Sequence, residues 1–462
     1  MIFKKLSIAA AVAAFFAPTL AQAATESAAD LQKEINKLQY EVNQLQSHQT
    51  KAMKNGSKAN QQKSLTAIPI TTTPLLGLQA DYSGFDLISN FSSINEDLVL
   101  LQTRNKDEAA MSSEEVGAQH PRVLFSGFIN LGATYLNPEY FGSPVSTTSL
   151  NITAAALDTT AYVSPWVNAF VELKWNSGPG LNTLKANRAF ITVGKLNRSP
   201  FYGSIGTMYV PFGRYSTTLI SDPITKQMGR TQATQGALLL GYSKPNVSTQ
   251  VFAFKGNSKL NGSLENVVGA DANYYAHYSH GTAQLGAGLI NTLSESIGLQ
   301  MHTYQNNLVG FSGLNLTKQV PAYDVNAQAS FDAFTLTTEF LGTTTAYATQ
   351  DATYTNAGNS AGANPKALHL EGIYNFNLIH RPSSAGLFFD HTAQALGFAL
   401  PENSFGAIFN TAIAKDLLFA MQYSHNIDYK TTQQATTAGT TSTITGTGKA
   451  QNIYYLQLAA YF

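Results

Sequence analysis

The stretch NIYYLQLAAYF, residues 452–462, decides the fold. Every second residue back from Phe462 is Ala460, Leu458, Leu456 and Tyr454; the set between them, Tyr461, Ala459, Gln457, Tyr455 and Ile453, has a polar residue at its centre. A two-residue period belongs to a β-strand, whose successive side chains leave opposite faces. An apolar face that ends on a bare aromatic gains little in water, so the segment reads as a strand with hydrocarbon on one side.

The same texture recurs upstream. In VNAFVELKW, Val167, Ala169, Val171, Leu173 and Trp175 oppose Asn168, Phe170, Glu172 and Lys174. In AYDVNAQASFD, Tyr323, Val325, Ala327, Ala329 and Phe331 oppose Asp324, Asn326, Gln328, Ser330 and Asp332. LHLEGIYNFNL at 368–378 and LLFAMQYSHN at 417–426 repeat it. Sixteen such segments fall between 123 and 462, joined by short turns and by long connections at 211–234, 292–321, 345–365 and 429–451. In lipid every backbone amide must be paired, which strands achieve only by closing on themselves. The expected fold class is all-β: a transmembrane antiparallel β-barrel of about 16 strands with a short N-terminal α-helical coiled-coil segment. A soluble all-β protein is the bland alternative.

Composition agrees. Only 12% of the 462 residues are charged, about half the usual share, and the formal net charge is zero. That balance gives no reason to expect a polyanion partner such as nucleic acid. The start, MIFKKLSIAAAVAAFFAPTLAQA, places Lys4 and Lys5 before an apolar run and Ala21-Gln22-Ala23, the pattern of a secretory signal cut after about Ala23. No later stretch approaches the roughly 18 apolar residues of a spanning helix. With no cysteine, disulfides, thiolate ligands, Cys nucleophiles and lipid attachment to Cys are all excluded. The expected location is the outer membrane of a Gram-negative bacterium.

Four segments follow: 1–23 signal peptide, 24–50 coiled coil, 51–122 a linker or periplasmic or plug-like segment, and 123–462 barrel. Leu31, Ile35, Leu38, Val42 and Leu45 keep the 4-3-4-3 spacing of a coiled-coil seam. A dimer, a trimer and a helix folded back on its own domain all remain open. Within 51–122, FDLISNFSSINEDLVLLQTR offers a helix through Ile88, Phe91, Ile94, Leu98 and Leu101, placed either in the periplasm or in a pore.

Charge is segregated along the barrel. From Lys174 to Lys259 eleven basic residues face one acid, Asp222; from Glu265 to Asp428 twelve acids face four bases. Wrapped on a cylinder these stretches form opposite walls, whose transverse field would orient a polar solute. The third long-side connection, PFGRYSTTLISDPITKQMGRTQAT at 211–234, either folds inward, as the third loop of many general porins does, or lies on the surface. Candidate pore-lining residues are Glu172, Lys174, Arg188, Arg214, Lys226, Arg230, Asp324, Glu339 and Glu371. Guanidinium groups suit carboxylates because their donors bind in a bidentate way. His369 and Glu371 share a face, but two ligands make a weak metal site. No catalytic motif occurs, and no enzyme activity, cofactor or metal is expected.

Together with sixteen strands, a signal peptide and a short coiled coil, the hairpin SPFYGSIGTMYVPFGRY at 199–215 resembles the LbtU-type siderophore porins of Legionella and related gammaproteobacteria. The resemblance implies uptake of a ferric siderophore through a barrel without the large plug of 22-stranded receptors. It transfers no binding residues. Tyr454, Leu456, Leu458 and Phe462 resemble the C-terminal signal read by the outer-membrane insertion machinery, departing from it at Ala460. The expected partners are a siderophore or similar small polycarboxylate, outer-membrane lipid, the insertion machinery and further copies of the chain. A general diffusion porin and a structural or adhesive barrel are the competing readings.

Overall fold

A computed structural model describes residues 70–72, 94–110, 122–137, 146–176, 183–301, 311–437 and 443–462, all within one compact unit, Ile68–Phe462. The expected signal peptide at 1–23 and coiled coil at 24–50, and residues 51–69 of the segment expected at 51–122, lie outside the described residues.

Alternation becomes closure. The strands are β1 (Arg122–Asn137), β2 (Thr147–Ser164), β3 (Val167–Asn176), β4 (Thr183–Gly194), β5 (Phe201–Tyr209), β6 (Gln232–Lys244), β7 (Val247–Leu260) and β8 (Ser263–Tyr278). The second half comprises β9 (Gly281–Ile290), β10 (Ala322–Phe331), β11 (Phe334–Thr343), β12 (Lys366–Leu378), β13 (Arg381–Ala393), β14 (Asn403–Ala414), β15 (Leu417–Ile427) and β16 (Ala450–Tyr461). Each is antiparallel to its sequence neighbours, and β16 returns to β1, from Phe128↔Tyr461 to Asn137↔Asn452. The fold is a closed, sixteen-stranded transmembrane antiparallel β-barrel, as the sequence predicts.

Burial runs opposite to that of a soluble protein. Ile129, Leu131, Val171, Leu173, Ile205, Leu240, Val325, Leu336, Leu370 and Met421 are exposed on the outside. Asn168, Glu172, Arg188, Asp324, Glu339, Glu371 and Gln422 are buried inside. An apolar belt of that extent is tolerable only against hydrocarbon. Aromatic pairs edge the belt at both ends. Phe201–Tyr242 (5.2 Å between ring centres) and Phe334–Tyr374 (4.9 Å) lie near the short turns, and Tyr423–Tyr454 (5.2 Å) lies toward the long loops. Such girdles suit amphipathic rings at a membrane interface.

Two connections are tight. β2 runs to Ser164, with two residues between it and β3. β7 and β8 meet through Asn261-Gly262 alone, both at positive φ (51° and 86°). Asn-Gly is the pair that such a two-residue hairpin turn favours. Between Lys255 and Lys259 the β7–β8 ladder is interrupted. The N–H groups of Asn257 and Ser258 there donate to Glu295, each at 2.8 Å.

Beyond the strands are helices α1 (Glu96–Ala110), α2 (Ile224–Gly229) and α3 (Ile297–Met301). Of the expected helix, Ile88 and Phe91 lie outside the described residues; α1 carries Leu98 and Leu101 and opens on Glu96 and Asp97, the acidic first turn that a helix N-terminus favours. At the long-loop end, Phe311, Tyr347 and Phe398 stack together, with ring centres 5.4–6.2 Å apart. A small sheet (Ala352–Asn356, Asn359–Gly362, Gln433–Thr437 and Ile444–Thr445) joins two of the loops.

Candidate pore constriction

The connection from β5 to β6 folds into the bore. This inward loop, 210–231, buries Phe212, Tyr215, Leu219 and Met228, and the far wall anchors it. Glu339 on β11 accepts from the N–H groups of Arg214 (2.7 Å) and Tyr215 (3.0 Å) and from the Thr225 hydroxyl (2.9 Å). Glu371 on β12 accepts from Thr217 Oγ1 (2.5 Å), Thr218 N–H (2.8 Å) and Thr218 Oγ1 (2.7 Å). Gln422 on β15 accepts from the N–H groups of Ile220 and Ser221 and donates to Ser221 Oγ. Buried backbone donors need partners, so these contacts decide where the loop lies.

His369 completes the anchor. Its Nδ1 lies 2.7 Å from Asp390 Oδ1 and its Nε2 lies 3.2 Å from Glu371 Oε2, so carboxylates occupy both ring nitrogens. That occupation leaves neither nitrogen for a metal ion. Among the described residues no group of three or more His, Asp or Glu is arranged to hold one.

The loop carries its cations toward the opposite wall. Arg230 stands 4.7 Å from the centre of the Tyr209 ring, and Arg188 of β4 stands 5.6 Å from the same centre. Lys226 pairs with Asp222 at 2.6 Å, and Arg230 reaches Asp222 only at 3.8 Å, so the Arg230 charge is the less matched. Burial pushes the Asp222 carboxyl up, but Lys226 and Arg230 outweigh it and hold the group down at about 2. Burial pulls Lys226 below the ordinary lysine value against the attraction of Asp222. Lys174 on β3 is within electrostatic range of this group.

The nine pore-lining candidates therefore separate. Lys174, Arg188, Lys226 and Arg230 gather around Tyr209 and Asp222. Glu172 is the ion-pair partner of Arg188, at 2.6 Å. Arg214 points elsewhere, 5.8 Å from the Tyr275 ring centre and near Asp271. Asp324 accepts from Asn326 at 2.7 Å on the acidic wall, while Glu339 and Glu371 anchor the loop. At the seam, Tyr454 and Phe462 are exposed outward and Leu456 and Leu458 lie half-buried, with Phe462 bonded through its backbone to Gly127. Sequence reasoning missed Asp390, Gln422, Tyr209 and Asn410, whose Nδ2 donates to the Thr218 carbonyl at 3.3 Å. Asp390, Gln422 and Asn410 lie on luminal strand positions, but nothing in the sequence tells that they meet the loop at Ile224, Ile220 and Thr218.

Comparison with known proteins now has a geometry to meet. No family model matches the chain. A UPF0422 protein of Coxiella burnetii (strain RSA 493 / Nine Mile phase I) is 32% identical over 405 residues, covering 84% of this chain and 83% of that protein. The chain belongs to the UPF0422 family. A second UPF0422 protein, from Legionella pneumophila (strain Lens), is 29% identical and covers 86% of this chain and 77% of that protein. Among solved structures, an anion-selective porin from Comamonas acidovorans superposes with a TM-score of 0.50 at 10% identity, over 74% of this chain and 100% of that one. At that identity the likeness is one of fold: this UPF0422 member has the sixteen-stranded barrel of a porin.

Proposed function

We propose that the chain is an outer-membrane porin, exported by its N-terminal signal, that passes small anionic solutes of the polycarboxylate class. The observation that carries this reading is the inward loop, which brings Lys226 and Arg230 to the wall holding Lys174 and Arg188. Cations grouped in a narrow, partly dehydrated passage attract carboxylates yet bind them weakly enough to let them leave. The resemblance of the 199–215 hairpin to LbtU-type porins makes a ferric siderophore the physiological member of that class in this reading. Planar-bilayer recording of the mature protein tests the reading. The expected result is stepwise conductance with a reversal potential on the anion side, reduced by ferric siderophore or citrate and not by an uncharged sugar. A barrel without conductance steps would assign the protein to the structural or adhesive class instead.

A further inference from the structure

Helix α1 stands inside the bore on the short-turn side of the inward loop. Its first turn carries Glu96 and Asp97, both buried. Glu96 Oε2 forms an ion pair with Arg188 Nη1, while Asp97 Oδ2 accepts from Ser204 Oγ on β5 at 2.5 Å. Further along, Arg104 donates to Asn168 Oδ1 on β3 at 2.6 Å. A cavity between this part of α1 and the β2–β3 and β4–β5 turns, lined by Leu101, Pro165 and Leu196, measures about 10 Å³, at the lower limit for one water. Ile94, just before the helix, is buried with Tyr209 and Tyr215, so α1 abuts the inward loop.

Arg188 is built to take two carboxylates. Its Nε donates to Glu172 Oε2 at 2.6 Å, and its guanidinium lies 5.5 Å from the Phe170 ring centre and 5.6 Å from that of Tyr209. One edge is thus held by the barrel itself, and the other edge is met by a carboxylate on a separate helix. A guanidinium fork of this kind matches a carboxylate on each edge. Resting on the porin reading above, we infer that α1 is an internal plug whose Glu96 occupies the Arg188 site for a carboxylate-bearing solute, so that plug docking and solute binding exclude each other.

The docking contacts suit reversibility. α1 contributes nothing to the barrel ladder, and Asp97 is met by the Ser204 hydroxyl and the Leu98 N–H rather than by a cation. A carboxylate buried on such terms returns little net stability. Because Glu96 is tethered, it competes at an effective concentration on the order of millimolar, which a solute with several carboxylates offsets by engaging Lys174 and Arg230 as well.

The natural sequence contains no cysteine, so Asp97→Cys with Ser204→Cys gives the full chain one thiol pair. In planar bilayers the oxidised variant should lose its conductance and the reductant should restore it. Equal currents in the two states would overturn the plug while leaving the porin reading intact; absence of current in both states, with the barrel heat-modifiable, would remove both. Glu96→Gln provides a second measurement. The citrate concentration for half-block should fall about tenfold, the equivalent of about 1.4 kcal/mol, with maltose as the uncharged control. An unchanged half-block concentration would overturn the competition for Arg188.

Discussion

Two groups of charged side chains inside the barrel are used differently. On the acidic side, Glu339, Glu371 and Asp390 are buried, each bonded to the loop or to His369, and they hold a loop that crosses the bore. On the basic side, Arg188, Lys226 and Arg230 surround one tyrosine and one aspartate, with Arg230 only loosely matched. The acids of one side have become scaffold, whereas on the other side Arg230 meets its nearest carboxylate, Asp222, only at 3.8 Å. Equal treatment of the two walls as pore lining, natural from sequence, misses this division. An acid already bonded to three donors has little capacity left to meet a passing molecule.

The largest test removes the scaffold. Glu371→Ala should leave three donors of the loop and one edge of His369 unsatisfied, at a cost of about 3 kcal/mol or more. The thermal shift of the folded band on gels should fall, and single-channel conductance should rise as the loop leaves the bore. Unaltered conductance and melting would show that the acidic wall is no anchor.

An intermediate effect should separate the basic residues from one another. Lys226→Ala with Arg230→Ala should lower anion preference severalfold in reversal-potential measurements. Arg214→Ala should change it much less, because that side chain lies by Tyr275 and Asp271. Equal effects would merge the two groups and undo the distinction.

Much of the barrel was legible before any coordinates. A strand repeats every two residues, and a barrel with oil outside and water inside writes that repeat as apolar against polar. VNAFVELKW and AYDVNAQASFD therefore disclosed both their strands and their inward faces. The site was legible only in part. Lys174 and Arg188 could be assigned to the lumen by parity, but Lys226 and Arg230 lie on a loop without a period, and α1 is too short for its pattern to name a partner.

The sequence by itself determined the number of strands, their register of inside and outside, and the separation of charge along the chain, because these are local properties of alternation. Only the tertiary structure decided that the third long connection turns inward and that α1 lies in the bore. Those outcomes depend on pairings such as Ile220 with Gln422, 202 residues apart, and Ser204 with Asp97, 107 apart. No local pattern encodes a hydrogen bond across a closed cylinder; it exists only once closure has brought the opposite walls within reach.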